Sequence, residues 1–168
     1  MKISTVQLLI LTGISLAALC IPTVVAADVE VKLIEPRKFR DIDVTSKSLN
    51  KSIEDVHHSL SQLINQVAKE YLKDSNNLII EVTQVDLAGY MEWTRNAREI
   101  RVVRNNDRYV LEFSYRLIDS TGKVLKEGNA NIREFLHDSP SKKRLQDSHL
   151  VGYMRDDLEK WFKKEFNN

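Results

Sequence analysis

The stretch LIIEVTQVDLAG, residues 78–89, constrains the fold of this chain more than any other. Ile79, Ile80, Val82 and Val85 are β-branched, stiff at χ1 and suited to a pleated, packed neighbourhood, so the segment is expected as a central strand. Gly89 closes it, because glycine takes a positive φ without a Cβ penalty. An apolar strand must be covered, and the flanking segments have the patterns to cover it.

Upstream, Val29, Val31 and Leu33 alternate with Glu30 and Lys32, the period of a half-buried strand over residues 29–34, which Pro36 ends. Phe39 and Ile42 are apolar anchors in the charged connection RKFRDID. Next comes a long amphipathic helix, with Leu49, Ile53, Val56, Leu60, Leu63, Ile64, Val67 and Tyr71 at intervals of three and four. Either Ser48 or Ser52 can cap it. An a/d seam through Ile53, Val56, Leu60, Leu63 and Val67 stops after about two heptads at Glu70, so the helix is expected to lie on its own sheet rather than in a coiled coil. Strand, helix and strand in this order predict parallel neighbours joined by a right-handed crossover.

Downstream, residues 90–99 suggest a loop, IRVV at 100–103 a short strand and Asn105-Asn106-Asp107 a turn. Tyr109, Leu111, Phe113, Tyr115 and Leu117 then share one strand face. A turn at Asp119-Ser120-Thr121-Gly122 leads into a return strand over 123–132, where Gly128 is expected to mark a bulge. Ser139-Pro140 predicts a helical opening through Lys143 and Arg144. Leu150, Met154, Leu158, Trp161, Phe162 and Phe166 form the stripe of a final helix. The expected class is α+β: a single domain with a mixed sheet of four to five strands, and a long N-terminal helix and a C-terminal helix packed on one face.

Residues 1–27 have the composition of a cleaved signal peptide. Lys2 is followed by the apolar run Val6–Val25, and Val24-Val25-Ala26-Ala27 offers small residues for cleavage, leaving 28–168 as the domain and the periplasm as its location. The run is close to membrane-spanning length, but the cleavage pattern and the strand that follows favour removal, so no span is expected afterwards. Cys20 lacks a lipobox because Leu19 precedes it. It is also the only cysteine, so a chain without its leader has no disulfide, Cys metal site or thiol catalyst. Lys2 is the only charge in the leader, so the 25 basic and 24 acidic residues of the full chain leave the remainder formally neutral. That balance gives no pointer to nucleic acid.

VKLIEPRKFRDI, EVTQVDLAG, the following EW and IRVV, LIDSTGKVLKEG and LEKWFKKEF together resemble a family of short exported proteins of Gram-negative bacteria catalogued as a domain of unknown function. The most specific piece is Val85-Asp86-Leu87-Ala88-Gly89. The resemblance implies a periplasmic protein and carries no catalytic residue, cofactor or partner. Family members often have a Pro pair where this chain has Asn106-Asp107, which implies a differently built turn here.

Four residues are candidates for binding: Asp86, Trp93, Arg95 and Arg101. Five arginines (Arg95, Arg98, Arg101, Arg104 and Arg108) follow Trp93 within a short span, offering planar forks for carboxylate or phosphate beside a stacking surface. The bland alternative is a Trp tucked under the loop and charges that guard a sheet edge. Asp86 at a strand end suits either a turn-stabilising acceptor or a general base, although no second carboxylate or nucleophile has motif-like spacing around it. His57 and His58 point to adjacent helix faces, His137 and His149 stand apart, and no HExxH spacing occurs, so no metal or cofactor is expected. Lys142-Lys143-Arg144 lacks the interleaved aromatics of a nucleic-acid platform. Phosphate-loop and nucleophile-elbow patterns are absent, so no catalytic residue is named. The expected activity is binding, as an accessory module engaging an envelope protein or an anionic envelope ligand. A small hydrolase or lyase using Asp86 is the alternative, and a structural homodimer is a third reading.

Overall fold

A computed structural model describes residues 28–44, 48–72, 75–136 and 150–167. Residues 1–27, His137, His149, Ser139-Pro140 and Lys142-Lys143-Arg144 lie outside these. Among the described residues six strands and two α-helices follow in chain order: β1 (Asp28–Leu33), α1 (Leu49–Ala68), β2 (Asn77–Asp86), β3 (Tyr90–Trp93), β4 (Glu99–Val102), β5 (Arg108–Ile118), β6 (Val124–Phe135) and α2 (Arg155–Phe166). Four of the strands form one mixed sheet in the order β1-β2-β5-β6, with β1 parallel to β2 and the other pairs antiparallel. The class is α+β, as the sequence pattern predicts.

β2 shows how the sequence sets the core. Leu78, Ile80 and Val82 are buried, and strict alternation would turn Val85 outward. A register shift between Val82 and Gln84 leaves Thr83 unpaired and returns Val85 to the buried face opposite Leu111. β5 supplies Tyr109, Leu111, Phe113, Tyr115 and Leu117 to the same face. Over them lie Val56, Leu60, Leu63, Ile64 and Val67 of α1 and Leu158 and Phe162 of α2. Trp161 stands edge-on to Phe113 and Tyr115, with ring centroids 4.8 and 5.1 Å away.

Ser48 caps α1, its Oγ accepting the Lys51 N–H at 3.4 Å. Ser52 is instead wholly buried and accepts the Val44 N–H at 3.2 Å, tying the incoming connection to the helix. Phe39 and Ile42 are buried, the anchors their setting suggested.

Two local expectations are corrected. Residues 90–99 are not a loop, because Tyr90–Trp93 is a strand paired with Glu99–Val102 in a separate two-stranded sheet. Nor does Gly128 mark a bulge. It pairs regularly with Tyr115, and the irregularity falls at Leu125, between the Leu117–Lys126 and Ile118–Val124 pairs. A Cβ at Gly128 would meet the Tyr115 hydroxyl and ring at 3.0–3.2 Å, so that side chain would have to give by a few tenths of an ångström.

Candidate functional site

Arg101 organises the end of β2. Its side chain, on β4, is only 6% exposed and forms a two-pronged ion pair with Asp41, Nη2 to Oδ1 at 2.5 Å and Nη1 to Oδ2 at 3.1 Å. Nε also donates to the Asp43 carbonyl at 2.9 Å, and Nη1 lies 3.2–3.3 Å from the carbonyls of Leu87, Ala88 and Gly89. A planar fork with five donors suits such a cluster of acceptors, which an ammonium cannot match. Asp41 in turn bridges β2 at Asp86, and its carbonyl accepts the Leu87 N–H at 3.0 Å. One guanidinium thus ties the VDLAG turn, the 41–43 connection and the β3–β4 hairpin together.

Gly89 makes that arrangement sterically possible. Its φ is +88°, and a Cβ would sit 2.1 Å from the Val102 carbonyl oxygen. Behind the turn, Tyr153 is buried, and its Oη accepts the Ala88 N–H at 3.1 Å. Burial pushes the Tyr153 phenol up to about 12, so it is neutral at ordinary pH.

The hairpin carries its aromatic outward. Trp93, the last residue of β3, is 66% exposed. Arg95 is exposed in the turn that follows, which is closed by the Thr94 N–H bonding to the Arg98 carbonyl at 2.8 Å. Tyr90 and Ile100 add exposed apolar surface, and the Arg104 guanidinium lies 4.9 Å from the centre of the Tyr90 ring. The four sequence candidates therefore separate. Trp93 and Arg95 share the open tip, Arg101 is internal at the base, and Asp86 faces elsewhere.

Asp86 lies on the face of the sheet opposite α1 and α2, its side chain 23% exposed and 3.9 Å from Arg40 Nη1. It borders a groove of about 460 Å³ lined by Lys38, Arg40, Gln84, Val110, Glu112 and Arg133. Burial raises its pKa, and the Arg40 charge opposes that rise. Arg133 is held by ion pairing to Glu112 and by a 2.7 Å bond to Asn131 Oδ1. Sequence reasoning missed Arg40, Glu112 and Arg133 as groove residues, because Glu112 and Arg133 meet only through strand register and Arg40 comes from the connection ahead of α1. A partial signal existed: Glu112 lies on the face of β5 opposite its apolar row.

The turn at residues 104–107 is set by backbone bonds within this chain. Asn106 has a φ of +74° and donates its N–H to the Leu136 carbonyl at 2.8 Å, while Asp107 donates to Arg104 at 3.2 Å. Proline could supply neither donor nor that φ.

His57 Nε2 lies 2.8 Å from the Val31 carbonyl, and among the described residues no cluster of His, Cys, Asp or Glu is placed to hold a metal ion. Among those residues no helix is long and apolar enough to cross a membrane. No protein of curated function matches the sequence. In fold the chain is distantly similar to a minor lipoprotein from Acinetobacter baumannii, at 7% identity over 84% of this chain and 93% of that one, with a TM-score of 0.33. It is likewise similar to a PelC dodecamer from Paraburkholderia phytofirmans, at 10% identity over 81% and 86% of the two chains, with a TM-score of 0.31. In keeping with the resemblance carried by its motifs, the chain belongs to the family described as protein of unknown function DUF3016, whose model matches residues 27–164.

Proposed function

We propose that this is an exported, periplasmic binding module of the cell envelope and that the tip of the β3–β4 hairpin is its contact surface. The observation that carries the reading is a Trp93 side chain 66% exposed on a hairpin whose base is clamped by Arg101. An isolated two-stranded hairpin is marginal in water, so a clamp that fixes one serves to present its tip. A preorganised aromatic beside a cationic side chain, Arg95, is the composition of an interface anchor. The partner chemistry it suits is an envelope protein or ligand with an apolar spot flanked by carboxylates or phosphates. The leader sequence supports the compartment.

The test is photo-crosslinking from position 93 in intact cells, with exposed Lys160 on α2 as control. A discrete protein adduct at 93, absent at 160 and lost on Arg95→Glu, supports the reading. Equal labelling from both positions rules it out. Arg101 does not belong in this test, since its replacement disturbs the hairpin itself.

A second reading has its own support. A partly buried carboxyl with a raised pKa, beside a groove lined by three cations, suits general acid–base chemistry on an envelope polymer. Asp86→Asn would then abolish turnover of envelope glycans by the purified protein. Absence of turnover in the unaltered protein eliminates this reading.

A further inference from the structure

We infer that β6 is a self-complementary edge, and that two copies of the chain join through it into one continuous eight-stranded sheet. Among the described residues β6 is the terminal strand of the sheet, and it runs from Val124 to Phe135 with most positions exposed. It carries no proline. Long uncovered edges invite strand pairing, and natural edges are usually blunted.

The order of residues along β6 specifies the partner. Place a twofold axis at Ala130 and run a second copy antiparallel. Lys126 then faces the other copy's Glu134, Glu127 faces Arg133 and Asn129 faces Asn131, all within the regularly paired part of the strand. Phe135, 50% exposed near the end of the strand, adds apolar surface at the join. By symmetry each charge pair occurs twice. Opposite charges directly across a strand pair stabilise it, and like charges destabilise it.

The register is selective. A one-residue slip in one direction sets Lys126 against Arg133, and in the other it sets Glu127 against Glu134. A two-residue slip in either direction loses both charge pairs. Faces also agree: Ala130 and Gly128 lie opposite Phe113 and Tyr115 on the helix-bearing side, while Glu127 and Arg133 lie on the open side with Arg116 and Val110. The axis pairs even with even positions and odd with odd. The helices of both copies therefore fall on one side of the joined sheet, and the two open faces become continuous. This surface is distinct from the β3–β4 tip, so the inference does not depend on the binding role proposed for Trp93.

Sedimentation equilibrium of the exported protein, purified without crosslinker, tests this directly. The expected result is a reversible dimer that dissociates on dilution, with amide protection along β6 falling in step. Glu127→Arg places like charges opposite each other at two symmetric points and is expected to weaken the dimer roughly tenfold or more. Adding Arg133→Glu together with Glu112→Arg, which keeps an opposite-charge pair within each chain, restores opposite charges across the axis and is expected to recover most of the affinity. Circular dichroism and thermal midpoint confirm that both variants keep the fold. A protein monomeric at all concentrations overturns the inference, as does a dimer indifferent to Glu127→Arg. A loss that the added substitutions do not recover overturns the register.

Discussion

Arg101 and Trp93 lie on one short hairpin and meet opposite environments. The Arg101 side chain is withdrawn among Asp41, Asp43 and three carbonyls, and the indole of Trp93 is in water. Nothing local in the sequence separates them, because the Asp41 carboxylate and the Asp43 carbonyl that capture Arg101 come from a connection some sixty residues earlier in the chain. Arg101→Lys keeps a charge and loses the fork. It is expected to cost about 2 kcal/mol, below the range for breaking a fully buried pair because Asp41 retains some solvent contact. Urea unfolding measures it, and an unchanged midpoint would contradict a clamp. Asp86 offers a pH signature. Its folded-state pKa is raised by burial, so its contribution favours the fold while the carboxyl is protonated and is lost as pH rises through that raised value. Asp86→Asn should therefore raise the melting temperature at neutral pH, with the gain shrinking to nothing below the ordinary carboxylate range. Glu165 has the opposite sign. Its pKa is lowered by Lys126 and Tyr115, so its support for the fold is present above the ordinary range and lost as pH falls through the lowered value.

Elements with one wet and one dry face could be read from the sequence, and an element wet on both faces could not. β5 alternates Tyr109, Leu111, Phe113, Tyr115 and Leu117 with more polar residues because only one side meets the helices. β3 has no dry side, so Tyr-Met-Glu-Trp shows no period, and its strand character comes from pairing with β4. The available hint was a run of strand-favouring side chains followed by a turn that returns to IRVV. The junction between β2 and this hairpin is narrow. Gly89→Ala would force a positive φ on a residue with a Cβ and drive that Cβ into the Val102 carbonyl, costing roughly 2 to 3 kcal/mol. An equilibrium midpoint within error of the unaltered protein would exclude that close approach. At the other end of the core, Trp161 packs edge-on to Phe113, Tyr115, Phe162 and Phe166. Trp161→Ala is expected to cost about 3 to 5 kcal/mol and to lower the melting temperature by about 10 °C or more. A loss under about 1 kcal/mol would place that ring outside the core.

The fold divides into a core held by one apolar cluster and a hairpin anchored at its base. β1, β2, β5, α1 and α2 share a single apolar cluster, whereas the β3–β4 hairpin is fixed at its base by Arg101 and the close approach at Gly89. The parallel β1–β2 pair and the β5–β6 hairpin were readable from strand–helix–strand order and turn chemistry. The separation of β3–β4 from the main sheet was not, since it depends on Arg101 finding Asp41 rather than on any periodicity. This division predicts two opening reactions. Amides of β3 and β4 should exchange with solvent through a local opening of lower free energy than the global unfolding that exposes β2 and β5. Two variants separate the two routes. Trp161→Ala removes contacts that survive hairpin opening, so it should speed exchange in β5 and leave β3 and β4 unchanged. Arg101→Lys removes an interaction broken in both reactions, so exchange should quicken throughout by a similar factor, roughly 30-fold for about 2 kcal/mol. Native-state hydrogen exchange resolved by residue reads both patterns. If Trp161→Ala speeds the hairpin and the core together, the hairpin is part of the core's cooperative unit. A tip that opens only with the core would then present Trp93 as rigidly as any core residue.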